Sequence, residues 1–319
     1  MNFRKIIPGA AGVALLVGLP LFLNPYWVDV LNNIGIYAVL GLSLNLIVGH
    51  TGLFNLGHAA FYAVGAYTTA VINTMYHIPV FWLLPLSGLT AGLFALVVAR
   101  PIIHLRGDYL CIVTIGVGEI VRIALINDLF GITGGANGIF GISRPSVPGF
   151  IFRTPYHFFY LIWGFAALTF LLFRFLEYSR FGRALNFLRE DDVAAEGSGI
   201  DTVHYKLAAF VVGAFWAGMT GNLYAAKMTT ISPESFSFWE SVIMFAIVIL
   251  GGSGNSIGVL LGAALIVGLP ELFREFAGAR MLVFGAAMVI MMIFRTQGIL
   301  PARPRSYRLP EAGAGEARS

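Results

Sequence analysis

What most constrains this chain is that its apolar residues arrive in long blocks rather than in alternation. A bilayer core of about 30 Å takes about 20 helical residues at a rise of about 1.5 Å each. Apolar blocks near that length fall at 6–23, 28–48, 52–74, 79–99, 109–127, 156–176 and 206–226. Two shorter ones, 240–251 and 256–270, are divided by a Gly-Gly-Ser-Gly-Asn run at 251–255, and a last one covers 281–294. Only 11% of the residues are charged, against about 25% in soluble domains. The pattern predicts an all-α polytopic membrane protein with about ten hydrophobic segments, some broken or re-entrant, in contact with lipid.

Cation placement gives an orientation. With ten crossings, fourteen of the twenty Lys and Arg residues fall on one side, five on the other, and Arg122 within a span. Because the cation-rich side is cytoplasmic, both termini and the segment 177–206 are expected there. The net charge of +4 then serves an anionic leaflet and calls for no nucleic acid. Arg4 and Lys5 before the first block imitate a signal peptide. Pro8, Pro20 and Pro25, and the want of a small-residue cleavage site, favour a retained span. The lone Cys111 sits inside an apolar block and reads as a packing residue.

Ten of the 36 charged residues fall within 177–206. Asp191 and Asp192 offer N-cap chemistry for a short helix through Ala194, Ala195 and Glu196, and Gly197 and Gly199 stop it. Together with Gly182, Arg183, Arg189 and Ile200, this makes one small-faced surface helix between glycine bends. Spacing alone leaves two readings open, a docking surface for another protein and an ordinary solvated loop.

Two other places set polar groups among the apolar blocks. Asn45, Thr51, Asn55 and His58 are interleaved with Gly49, Gly52 and Gly57. Non-helical backbone at membrane depth is tolerated only where it is buried in protein or lines a cavity, and broken helices can present free amides to a substrate. The run at 251–254 loosely repeats the pattern at 49–52, a possible internal repeat. These residues read either as translocation path or as close-packing and inter-helix polar contacts. Glu119 and Arg122, at i and i+3, share a helix face and read either as path lining or as an internal ion pair. His50 and His58 stand eight apart without acidic neighbours, which argues against a metal site.

A Walker-type phosphate site needs a glycine-rich loop with Lys. The only lysines, Lys5, Lys206 and Lys227, stand in no such motif. No Ser/His/Asp arrangement or dinucleotide motif occurs, so the chain reads as no enzyme and as needing no cofactor. A membrane-embedded enzyme would have to be built from His58, Glu119 and Arg122, a poor catalytic set.

The stretch 189–200, with Ala194, Ala195 and Gly199 spaced as two alanines, three variable residues and a glycine, resembles the coupling motif of ABC importer permeases. Val193 stands where the wider family has glutamate, with Asp192 one step earlier. The stretch 41–67 resembles the signature of the LivH/LivM permeases of branched-chain amino acid systems, as do 106–110, 116–119 and 133–138, and the likeness to the LivM type runs from about Leu31 to Arg295. It implies a permease domain over 1–295, with 177–206 as its cytoplasmic coupling loop and 296–319 as a flexible cytoplasmic tail. Gly182, Arg183, Arg189, Asp192, Ala194, Ala195, Gly199 and Ile200 would couple to the ATPase, and Asn45, Thr51, Asn55, His58, Glu119 and Arg122 would line the path. It further implies a bacterial inner-membrane setting, a LivH-type permease partner, two cytoplasmic ATP-binding subunits, and a periplasmic substrate-binding protein docking on outward loops such as 131–155. The family also carries urea and short amides, the nearest alternative cargo. A secondary transporter or channel is the alternative that needs no partner.

Overall fold

Wherever the structure, a computed structural model, covers an apolar block, that block is helical over most of its length. Described are residues 22–105, 107–147, 149–272 and 298–301, with Gly18, Pro20, Gly285 and Val289. The expected spans at 6–23 and 281–294 lie almost wholly outside them, as does most of the expected tail. The helices are α1 (Pro25–Thr51), α2 (His58–Tyr76), α3 (Val80–Ile102), α4 (Asp108–Ile126) and α5 (Pro155–Tyr178). They continue with α6 (Arg180–Glu190), α7 (Asp192–Gly197), α8 (Thr202–Met228), α9 (Phe238–Gly251) and α10 (Ser256–Leu272). Six stretches among the described residues are long and apolar enough to cross a membrane: α1, α3, α4, α5, α8 and Pro233–Gly251, which holds α9.

Burial explains why α1 and α2 read differently from the rest. α1 is enclosed by α5, α8, α9 and α10 and buries all but a few of its residues. α2 carries Thr68, Thr69, Asn73 and Thr74, and is covered by α3 and α8. Its threonine hydroxyls donate back to carbonyls one turn earlier, as Thr69 does to Gly65 at 3.1 Å, so the polar groups are met inside the helix. α2 and α8 cross with backbone against backbone at Gly65, Gly218 and Gly221, the small-residue packing that brings membrane helices close.

Two breaks position the functional surfaces. α1 ends at Gly52, left-handed with φ +73°, and residues 52–57 are not helical. They run back along α1, so α2 begins beside Ser43: its Oγ lies 2.8 Å from His58 Nε2. Eight residues of α1 separate Ser43 from Thr51, about 12 Å at helical rise, so the first turn of α2 sits well inside the bundle. The freed amides find side-chain acceptors, as they must away from water. Leu56 N–H donates to Thr114 Oγ1 at 3.2 Å, Gly57 N–H to Asn55 Oδ1 at 3.0 Å, and Ala59 N–H to Ser241 Oγ at 3.0 Å. The block expected as one helix from 52 therefore starts six residues later.

The second break, 252–255, turns α9 into α10 through Gly252 (φ +116°) and Gly254 (φ +85°). Gly254 N–H donates to Asn45 Oδ1 at 2.9 Å, which joins the two breaks. Residues 298–301 pack beneath this turn, with Ile299 N–H donating to Leu250 O at 2.8 Å and Leu300 N–H to Gly251 O at 3.1 Å. Packing against the bundle thus reaches a few residues past the boundary expected at 295. In the 127–154 connection, two-residue strands pair antiparallel: Ile139–Phe140 with Thr230–Ile231, and Ser146–Val147 with Phe150–Ile151.

Candidate functional site

The charged segment 177–206 is helical, not a loop, and it carries two short helices where one was expected. Ser179 caps α6 by accepting from Gly182 N–H at 3.2 Å. Ala184, Leu185 and Leu188 form a buried stripe at helical spacing, while Arg180, Arg183 and Arg189 stay exposed. Gly182 is where α6 folds against the end of α5; a Cβ there would fall 2.4 Å from Leu176 O. Arg183 Nη1 donates to Tyr178 O at 3.1 Å across the same corner.

α7 is capped at both ends. Asp191 accepts from Val193 and Ala194 N–H at 2.9 and 3.0 Å. At the other end Gly199, at φ +82°, donates its N–H to Glu196 O, and Ile200 donates its N–H to Ala195 O, the paired bonds of a Schellman stop. The two alanines face opposite ways: Ala195 is fully buried, whereas Val193 and Ala194 are exposed. The acid beside them also turns inward, for Asp192 Oδ2 accepts from buried Lys206 Nζ on α8. A cleft of about 160 Å³ lies alongside, lined by Ile103, His104, Asp192, Glu196 and Lys206 among others.

α6 is fastened to the first break. Arg189 Nη1 donates to Gly49 O at 2.6 Å, and His50 Nδ1 lies 3.0 Å from Asn186 Oδ1. The Arg189 stem covers Gly52, where a Cβ would meet its Cγ at 3.3 Å. Arg189→Ala should loosen this clamp by about 1 kcal/mol after solvent screening. Amide hydrogen exchange over 49–58 and 186–199 should then accelerate roughly fivefold with helix content unchanged; identical exchange in the two proteins would show that the clamp bears no weight.

The path candidates separate. Asn45, Thr51, Asn55 and His58 are all buried and cluster at the breaks. Asn45 holds Gly254, and Thr51 donates to Ile47 O while accepting from Leu53 N–H. Asn55 Nδ2 and His58 Nδ1 are buried without a partner among the described residues. Glu119 and Arg122 do pair, Nε to Oε2 at 3.0 Å, but Arg122 also reaches Glu234 at 3.3 Å, just before α9. Only four residues part Arg122 from the end of α4, so this trio sits toward the end of the bundle opposite α6 and α7, apart from the breaks.

A further polar cluster went unread in the sequence. Asn33, Tyr37, Tyr62, Tyr224, Ser235 and Glu240 line a cavity of about 180 Å³ between α1, α2, α8 and α9. Tyr37 Oη donates to Glu240 Oε2 at 2.5 Å. Lys227 Nζ stands at its edge, 2.5 Å from Asn33 Oδ1 and 2.9 Å from Asp29 Oδ1. The available signal was the ionisable residues at the rims of apolar blocks, Asp29, Lys227 and Glu240, with tyrosines at 37, 62 and 224.

Comparison with known proteins gives the chain a family. The family described as branched-chain amino acid transport system / permease component matches residues 26–294. The high-affinity branched-chain amino acid transport system permease protein LivM of Escherichia coli (strain K12) is 40% identical over 332 residues, covering 95% of this chain and 77% of that protein. The probable branched-chain amino acid transport permease proteins LivM and LivH of Methanocaldococcus jannaschii are 25% and 24% identical, each over 85% of this chain and over 92% and 88% of their own lengths. No solved structure matches.

Proposed function

The chain belongs to the branched-chain amino acid transport permease family, and on that premise we propose that it is the membrane subunit through which an ATP-driven importer moves branched-chain amino acids inward. The observation that carries this reading is the exposed face of α7, set on a helix that is capped at both ends and tied to one span directly and to another through α6. Lys206 joins α7 to α8, and Arg189 joins α6 to the end of α1. Force applied to Val193 and Ala194 therefore reaches α8 directly and α1 by way of α6, the two longest helices among the described residues. The ATP-binding subunit meets that face, on the cytoplasmic side of a bacterial inner membrane where both termini also lie.

The remaining parts follow from the same premise. A second, LivH-type permease completes the membrane unit, two ATP-binding subunits drive it, and a periplasmic binding protein delivers cargo to the opposite end. There the 127–154 connection exposes Phe130, Phe140 and Phe150, an apolar platform of the kind that partner surfaces cover. The two breaks, joined by Asn45 and Gly254, act as paired discontinuities of a pseudo-repeat within a bundle of about ten segments. His58 and Asn55 there present unmatched polar atoms to the path. The permease domain then runs to about residue 301, because 298–301 pack beneath the second break, and the cytoplasmic tail begins after it.

The test is purification of the tagged chain from its native membrane, followed by reconstitution into proteoliposomes. An ATP-binding subunit and a second permease should copurify, and radiolabelled leucine should accumulate only with ATP and binding protein. Uptake of urea or a short amide in place of leucine would overturn the cargo. Leucine uptake by the chain alone, without ATP, would replace this reading with a secondary transporter.

A further inference from the structure

We propose that the cavity walled by Tyr37, Tyr62, Tyr224 and Glu240 is a transit site for the zwitterionic head group of an aliphatic α-amino acid. The inference rests on the reading of the chain as an amino acid permease and gives that reading a place in the path which the breaks do not supply.

Charge placement comes first. An ionisable side chain at the centre of a membrane span costs about 2.5–3.5 kcal/mol on insertion scales and less toward its ends, and such residues mark pathways unless they pair with one another. Lys227 is paired, with Asp29 Oδ1 at 2.9 Å and Asn33 Oδ1 at 2.5 Å. Glu240 is not: its contact is the neutral hydroxyl of Tyr37 at 2.5 Å, and no cationic side chain lies within ion-pairing distance of it among the described residues. A largely enclosed carboxylate held by a phenol alone is an acceptor for a mobile cation.

The surroundings narrow the cation to an ammonium. Tyr37, Tyr62 and Tyr224 line the same cavity as Glu240, and Tyr62 packs against Tyr224 at 5.4 Å and against Phe236 at 5.1 Å between ring centroids. Aromatic faces attract ammonium groups, more strongly once desolvated. The opposite charge stands at the cavity's edge, where Asn33 lies between the lining and Lys227. Lys227 Nζ has three donors, two of them directed at Asp29 and Asn33. The third is left for a carboxylate that arrives on the Asn33 side.

Size and position agree. A volume of about 180 Å³ lies below the roughly 300–1,000 Å³ of sites that enclose drug-sized ligands, and suits a small solute. Asn33, Tyr37, Tyr224, Ser235 and Glu240 are buried only in part, so the cavity is open at one side rather than sealed. It lies between Glu234, at the end of the bundle opposite α7, and Ser241, which contacts the first turn of α2. A solute moving from the outward end toward the breaks meets this cavity before them.

The experiment uses the complete transporter, with binding protein and ATP-binding subunits, in proteoliposomes. A Ser235→Cys variant in a Cys111→Ala background is labelled with a cationic and with an anionic methanethiosulfonate. The expected result is a preference of about tenfold for the cationic reagent, slowed by leucine under transport conditions. Adding Glu240→Gln should erase that preference and lower leucine uptake about tenfold, while the ATP-binding subunit still copurifies. Equal labelling by both reagents with no protection by leucine, in vesicles whose parent protein imports leucine, would overturn the transit site and leave the permease reading intact. A parent protein that carries no leucine with every subunit present would sink both.

Discussion

Ala194→Arg should abolish ATP-driven leucine uptake in a protein that still folds, whereas Ala195→Arg should fail at folding itself. The two positions are neighbours in α7, yet Ala194 is exposed and Ala195 is fully buried. A guanidinium at 194 projects from the face proposed to meet the ATP-binding subunit. Loss of about 3 kcal/mol of docking energy, an ordinary consequence of blocking an interface centre, corresponds to more than a hundredfold in affinity. At 195 the same group enters the packing under α7, where the inward-turned acid, Asp192, is already engaged by Lys206, and an uncompensated buried charge costs about 3–5 kcal/mol. Uptake, copurification and thermal unfolding in detergent separate the two. Ala194→Arg should lose the first two and keep the third, and Ala195→Arg should lose all three. Wild-type uptake by Ala194→Arg would remove α7 from the coupling surface.

Gly65→Val should destabilise the bundle by about 3 kcal/mol or more, at the upper end of what overpacking usually costs. A Cβ on Gly65 would lie 2.2 Å from Gly218 O and 2.3 Å from Gly218 Cα, and one on Gly221 would lie 2.4 Å from Tyr62 O. Backbone faces backbone on both sides of this crossing, so no side chain can rotate away to make room. The helices would have to separate, and with them Tyr62 and Tyr224, which face each other across it. Gly164→Val is the control, because nothing lies within 4 Å of a Cβ at Gly164; its unfolding temperature should match the parent's. A Gly65→Val protein as stable as that control would mean that the α2–α8 contact is looser than these distances require.

How far the sequence reaches depends on whether a feature is local. Membrane-length apolar blocks specify helices by themselves, because a bilayer leaves backbone no other partner. The caps of α7 were legible for the same reason: Asp191 and Gly199 act on amides and carbonyls within a few residues. The amphipathic stretch from Ala184 to Leu188 was legible as well, but not its extent as α6, because the flanking Arg180, Arg183, Arg189 and Glu190 carry no apolar periodicity to bound it. The direction in which Ala194, Ala195 and Asp192 point depends on Lys206 and the surface of α8, which spacing within 189–200 does not contain. The placing of Glu119 and Arg122 toward one end depends on Glu234, 112 residues after Arg122. The Tyr37–Glu240 contact spans 203 residues, and no local pattern records it.

The first break also sets an order of assembly. Its backbone is complete only when Thr114 accepts from Leu56 N–H and Ser241 accepts from Ala59 N–H, while Asn45 waits for Gly254 N–H. Those partners are synthesised 58, 182 and 209 residues after the groups they satisfy. A ribosome feeding this chain into a bilayer therefore delivers α1 and α2 long before their junction can close. Until α9 arrives, the amides of this junction must be kept from lipid by water or by the insertion machinery, and helices made late are the ones that finish the first.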